Sequence, residues 1–289
     1  MNRLTTFLNS PCAKTQGGSY THTSMAGGKY YVHCEHQEQF FELYKAALVE
    51  GKRVPSLIEK HKDFSPALID FDLRFPAGQT ERAYTLEHVK TFMRKYLEVL
   101  GQYVDLSQDE SPDVVLMEKP TPRQEKGVTK DGFHVVLPTV VTRPSVQYLV
   151  RNACMDAVEE FRTAVGCTNH ADDIFDKSVI YTAGWFMYGS SKPGLPGRKV
   201  THHWSLDMEE QPLLTPAAYV DLLSIRNKGE EAQLVPGRVS EIEALDKERW
   251  RKEQRKEPTQ SKRATTNQSQ RKSDVAMQDL EYVVMNLSP

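Results

Sequence analysis

Residues 66–75 read PALIDFDLRF. Ala67, Ile69 and Phe71 recur at every second position, which is the period of a β-strand. On that reading Asp70 and Asp72 share the opposite face, with Cα atoms about 6.5–7 Å apart. Two carboxylates held side by side repel each other unless a cation lies between them. Oxygen ligands of this kind suit Mg²⁺ or Mn²⁺, and adjacent carboxylates can share two ions. An acidic pair exposed at a strand end gives the same pattern, so the triplet alone leaves both readings open.

Working outward, Lys29–Val32 (KYYV) follows Gly27-Gly28 as a β-rich run after a turn. Phe40, Phe41, Tyr44, Ala47 and Leu48 mark one face of a helix that Gly51 stops. Leu86 to Leu100 has helical spacing behind a Thr85 cap. Val114–Met117 and Phe133–Leu137 read as strands, the second entered through Gly132 and closed by Pro138. Ser145 is expected to cap a longer helix whose apolar face includes Val146, Leu149, Val150, Ala153, Val158 and Phe161. Ser178–Tyr181 and Trp185–Tyr188 read as a hairpin around Ala183-Gly184, and Thr215 caps a helix from Pro216 to Leu223. The interspersed elements and candidate hairpins predict an α+β fold, a mixed, largely antiparallel sheet flanked by helices.

The chain has 289 residues, with 37 Lys and Arg against 39 Asp and Glu, a formal charge of −2. That near-neutrality hides an asymmetry. Residues 247–272 hold ten Lys or Arg and three Asp or Glu, a net of +7 that leaves −9 elsewhere. With Trp250 as its one large apolar residue, this run is expected to be a flexible basic linker or a frayed helix, able to hold phosphates or simply to space two domains. Residues 273–289 return to helical spacing and read as the start of a further segment. The expected organisation is therefore a domain over 1–246, a linker over 247–272 and a helical start over 273–289. No stretch approaches the roughly 20 apolar residues of a membrane span, and residues 1–10 lack a signal-peptide pattern. Cys12, Cys34, Cys154 and Cys167 are irregularly spaced, which fits free thiols in a reducing, intracellular compartment.

Two further patterns carry chemistry. In Lys130–Pro138 (KDGFHVVLP), His134 alternates away from Phe133, Val135 and Leu137, so it can face a site while they pack. A hydrogen-bonded strand histidine is the plain alternative, and Gly132 would let a ligand or loop approach the backbone. In residues 175–194 (FDKSVIYTAGWFMYGSSKPG), Asp176 is followed by a Gly-Ser-Ser-Lys turn. Ser190, Ser191 and Lys192 with free amides make a candidate phosphate cradle, or an ordinary polar turn. The spacing is not that of a P-loop.

In this order and spacing the three elements resemble the archaeo-eukaryotic primase superfamily, and most closely the primase domains of primase-helicases of nucleocytoplasmic large DNA viruses, of the poxvirus and asfarvirus type. The resemblance covers about residues 15–225 and includes THTS at 21–24 and GKYYV at 28–32 less specifically. It implies an RRM-like catalytic core and DNA-templated primer synthesis by nucleotidyl transfer. It further implies metal binding by Asp70, Asp72 and Asp176, with Asp172 and Asp173 as neighbouring competitors for the third role. His134 would contact the nucleotide's phosphates, with Lys130, Gly132, Ser190, Ser191 and Lys192 around them. The implied cofactors are two Mg²⁺ or Mn²⁺ ions. The implied partners are a single-stranded DNA template, NTPs or dNTPs, and a C-terminal helicase domain, at the site of viral DNA replication in host cytoplasm or nucleus. Two departures stand out: Gly132 replaces a Ser common in cellular relatives, and Val179–Tyr188 lacks an Arg that relatives carry.

Rival readings are weaker. A metal-dependent nuclease or nickase wants two closely spaced His ligands with a nucleophilic Tyr, whereas His202-His203 is adjacent and His33/His36 lies elsewhere. A catalytically silent DNA-binding module would not need all three carboxylates and the histidine. Zinc is not favoured, since His33-Cys34-Glu35-His36 has only Cys12 as a plausible further ligand.

Overall fold

The acidic strand is longer than its motif. In the computed structural model, which describes residues 2–256 apart from 16, 52–53, 109–112 and 227, it runs from Ser65 to Pro76. The elements in chain order are α1 (Arg3–Leu8), β1 (His22–Ser24), β2 (Lys29–Tyr30), α2 (Gln37–Val49), β3 (Leu57–Glu59) and β4 (Ser65–Pro76). There follow α3 (Leu86–Leu100), β5 (Asp113–Glu118), β6 (Arg123–Glu125), β7 (Val128–Thr142), α4 (Pro144–Ala153) and α5 (Met155–Val165). The last are α6 (Ala171–Ile174), β8 (Trp185–Phe186), β9 (Lys199–Ser205), α7 (Pro216–Leu223) and α8 (Val239–Lys256).

The larger sheet has strand order β4-β7-β5-β9 with β6 added to β7, and the smaller has β2-β1-β3-β8. Every strand pairing described is antiparallel, so the fold is α+β with antiparallel sheets flanked by helices, as the sequence predicts. One face of the larger sheet carries Ile69, Phe71, Phe133 and Val135 into a core shared with α3, α4 and α5. Phe71 and Phe133 stack there at 4.8 Å between ring centroids, with Phe161 edge-on to Phe71 at 5.2 Å. Leu68, Val115 and Val136 on the opposite face pack against Trp185 and the α7 residues Tyr219 and Leu223. The acidic pair lies on this second face, beyond its apolar patch.

Local chemistry sets the boundaries. Thr85 caps α3 as expected, in a reciprocal box: its hydroxyl accepts the His88 amide, and its own amide donates to His88 Nδ1. The expected cap at Ser145 is replaced by Arg143, because Pro144 supplies the first helical residue; the Ser145 hydroxyl instead donates to Asp246. The expected long helix divides at Cys154 into α4 and α5. The strand through His134 continues past Pro138 to Thr142, next to the register shift in β4 at Pro66/Ala67.

The expected 178–188 hairpin does not form. Lys177–Ile180 is a 3₁₀ turn, and β8 pairs with β3 instead. Asp176 causes the turn: its carboxylate accepts both the Ser178 amide and the Ser178 hydroxyl, at 2.8 and 2.9 Å. Helix α8 carries the basic run as far as Lys256, while residues 257–272 of that run and the helical pattern at 273–289 lie outside the described residues.

Candidate active site

The pairing of β4 with β7 builds the site. Asp70 stands opposite His134 and Asp72 opposite Gly132, all on one face because alternate residues share a face. His134 Nε2 lies 3.2 Å from Asp70 Oδ1. The His134 ring packs on Trp185 at 4.5 Å between centroids, so β8 of the smaller sheet fixes the imidazole from behind. Asp70 and His134 are both buried, whereas the Asp72 side chain is half exposed.

Asp176 arrives along the open edge of β4. The Thr168 amide donates to the Arg74 carbonyl at 2.8 Å, and Asn169 bridges the Asp72 carbonyl and the Arg74 amide. Phe175 pairs with Phe71, and the Asp176 amide donates to the Asp70 carbonyl at 3.0 Å. The third carboxylate is thus stitched to the strand that bears the other two. Asp172 is engaged elsewhere, by Arg151 at 2.8 Å.

Two cations complete the cluster, and the sequence reading named neither. Arg198 Nη2 reaches Asp70 Oδ1 at 3.3 Å, and Lys119 Nζ reaches Asp72 Oδ1 at 3.4 Å and the Asp131 carbonyl at 2.8 Å. Arg198 Nε is buried and has no hydrogen-bond partner among the described residues. Burial would raise the Asp70 carboxyl, but His134, Arg198 and Lys119 together hold it below the ordinary carboxylate range. Burial, and then Arg198, hold the His134 imidazole below its ordinary range against the pull of Asp70. Burial likewise lowers Lys119. No periodicity marks Lys119 or Arg198, which follow β5 and precede β9; Trp185 was visible only as a strand residue.

The remaining expected residues have other surroundings. Lys130 shares the His134 face by alternation, but its ammonium pairs with Glu125 at 2.7 Å across the β6–β7 hairpin. Gly132 has φ +137°, and a Cβ there would sit 1.9 Å from the Phe71 carbonyl oxygen. Close approach of β4 is what demands glycine at this position, so no side chain fits. The Ser190 hydroxyl is buried, accepting the Leu57 amide at 2.9 Å and bonding the Tyr44 hydroxyl. Ser191 is half-buried and Lys192 exposed. The loop then folds back, bringing Gly197 against the Ser190 carbonyl just before Arg198. Among the described residues, no three His, Cys, Asp or Glu side chains form a ready metal-binding group.

An antiparallel sheet with two alternating carboxylates facing a strand histidine, and a third acidic residue on the adjacent edge, has the layout of an archaeo-eukaryotic primase domain. The chain belongs to that class: the family described as the C962R protein N-terminal AEP domain matches residues 21–204. Relatives come from large DNA viruses. The protein named "Putative helicase L207/L206" of Acanthamoeba polyphaga mimivirus is 30% identical over 197 residues, covering 66% of this chain and 20% of that protein. "Putative helicase 184R" of Invertebrate iridescent virus 6 is 26% identical over 211 residues, covering 63% of this chain and 21% of the relative. "Putative helicase 121R" of Invertebrate iridescent virus 3 is 27% identical over 193 residues, covering 60% and 20%. The chain therefore spans about a fifth of the length of these relatives.

Proposed function

We propose that the domain synthesises primers on single-stranded DNA by metal-dependent nucleotidyl transfer, within a viral replication protein that continues into a helicase. The observation that carries this reading is the acidic pair on β4 facing His134, inside a family match that spans the site. The helicase-named relatives support the wider setting.

The donor set fits a hard divalent cation. Asp70 and Asp72 offer carboxylate oxygens on one face, and Arg198 and Lys119 now sit on those oxygens as countercharges. Asp70 and Asp72, with Asp176 through a carboxylate that also caps Ser178, would hold Mg²⁺ or Mn²⁺, which would lower the pKa of the attacking hydroxyl and stabilise the leaving pyrophosphate. The chain's own part is positioning and charge. His134 is clamped between Asp70 and Trp185, and so presents its ring in one orientation. Arg198 has an unused buried donor, Nε, beside the carboxylates, suited to a phosphate oxygen. It would supply the guanidinium whose usual place, between Asp176 and the Ser190 turn, holds none. Lys119 and Lys192 add positive charge where negative charge develops. Ser190 acts through structure, tying the turn to Leu57 and Tyr44.

The test is primer synthesis on single-stranded DNA with NTPs and dNTPs in separate reactions, with Mg²⁺ or Mn²⁺. Labelled dinucleotides and longer products are expected in at least one reaction. Nicked template would instead support a nuclease, and template binding without product would support a silent module.

A further inference from the structure

A second concave site lies on the smaller sheet. His22 in β1 stands opposite Glu59 in β3. Its Nδ1 bonds the Thr21 hydroxyl at 2.8 Å, but among the described residues Nε2 has no hydrogen-bond partner although the side chain is 4% exposed. The nearest carboxylate oxygen, Glu59 Oε1, is 3.8 Å away and already accepts the Ser224 hydroxyl. A buried imidazole nitrogen left bare costs free energy unless a ligand or water meets it. It lines a cavity of about 120 Å³ whose other walls include Gln37, Phe41 and Val32. Cavities of roughly 150 Å³ hold one benzene ring, so this chamber is of a size for a single six-membered ring.

The chamber adjoins an outer cleft of about 420 Å³; Thr21, Tyr31, Lys62 and Arg226 line both. The cleft is cationic: Lys60, Lys62 and Arg226 line it against one carboxylate, Asp63. Burial and then Arg226 lower the Lys62 ammonium against the pull of Glu59, which lines the chamber behind, and burial lowers Arg226. Tyr20 lies at the rim with the Lys60 and Lys29 ammonium groups 4.9 and 4.8 Å from its ring centroid. None of these residues belongs to the carboxylate cluster.

We propose that this chamber and its basic cleft form a second nucleotide-binding site, taking a pyrimidine nucleoside phosphate, free or at the end of a single strand. Its phosphate would lie against Lys60, Lys62 and Arg226, and its ring in the chamber against His22. The assignment follows from the pairing of a ring-sized, polar-lined chamber with an anion-seeking mouth. It goes beyond primer synthesis and requires no metal.

Calorimetric titration of the full chain with thymidine monophosphate in EDTA tests it, because metal-dependent binding at the carboxylates is then suppressed. Saturable binding is expected, weakened at least tenfold by Lys62→Glu and unchanged by Asp72→Asn. His22→Ala is expected to weaken thymidine monophosphate and leave inorganic phosphate unaffected; if that variant fails to fold, Lys62→Glu, on the surface, still decides. Displacement of a short oligodeoxythymidylate by thymidine monophosphate assigns the site to a strand end. Binding of thymidine monophosphate with no displacement assigns it to the free nucleotide. No binding in EDTA, or binding lost in Asp72→Asn and retained in Lys62→Glu, overturns the proposal. Primer synthesis can fail while this binding persists, so the two readings are separable.

Discussion

Asp70 and His134 face each other across β4 and β7 with Nε2 3.2 Å from Oδ1, and Arg198 approaches the same carboxylate oxygen at 3.3 Å. One oxygen thus answers to two partners from two other strands or their flanks. The Asp72 carboxylate, two residues on, is half exposed and pairs with Lys119 at 3.4 Å. The two members of the acidic pair therefore differ in what they do for stability.

That difference makes Asp72→Asn the cleaner test of chemistry. Its ion pair is partly solvated and contributes at most about 1 kcal/mol, so the melting temperature should barely move. Primer synthesis is expected to fall at least about a hundredfold. Asp70→Asn should lose as much activity but also stability, by roughly 1–3 kcal/mol, since it weakens buried charged hydrogen bonds to His134 and Arg198. An Asp72→Asn protein that primes at the wild-type rate would remove this carboxylate from the mechanism.

Gly132 offers a prediction independent of function. A Cβ 1.9 Å from the Phe71 carbonyl oxygen, at φ +137°, cannot be accommodated without moving β4 away from β7. Gly132→Ala is expected to destabilise the domain by roughly 2–4 kcal/mol in urea unfolding. A variant as stable as wild type would show that the two strands separate easily here.

These residues also show how far the sequence could be read. The alternation in PALIDFD placed Asp70 and Asp72 on the face away from Phe71, and the His134 strand followed the same rule. Period-two patterns survive because one face of that sheet is the main core. The hairpin expected over 178–188 does not form because Asp176 spends its carboxylate on Ser178, a local bond that outcompetes strand formation. Gly132 suggested an opening for ligand, when what approaches it is the backbone of the neighbouring strand. Arg198 and Lys119 had no legible signal, since they reach the site from chain segments flanking β9 and β5, and only the tertiary fold brings them there.

The His134 environment has a consequence for acid stability. Its folded-state pKa is below the ordinary value of about 6.5. The unfolded chain therefore binds the proton more readily across the window below 6.5, and stability is lost as pH falls through it. In His134→Gln that contribution disappears, so the melting temperature should depend less steeply on pH below about 6.5. An unchanged slope would mean that other groups govern acid unfolding.

The four free cysteines separate by environment. Cys34 is exposed and Cys12 half-buried, whereas Cys154 and Cys167 lie in the core between the sheet and helices. Burial pushes the Cys154 thiol up to about 12 and Cys167 up to about 11. Only the thiolate attacks a disulfide reagent, so at mildly alkaline pH these two are limited by ionisation as well as access. Titration with an aromatic disulfide reagent should therefore show Cys34 reacting first and Cys12 next, with Cys154 and Cys167 released only in denaturant. Equal rates for all four would contradict the packing of α4 and α5 on the sheet. The same shift gives an alkaline signature. A thiol with a raised folded-state pKa contributes stability that is complete below its unfolded value of about 8.5 and is lost as pH rises toward the folded one. Cys154→Ala should therefore unfold with less dependence on pH above about 8.5 than the native chain, while losing stability at neutral pH through the vacated core volume.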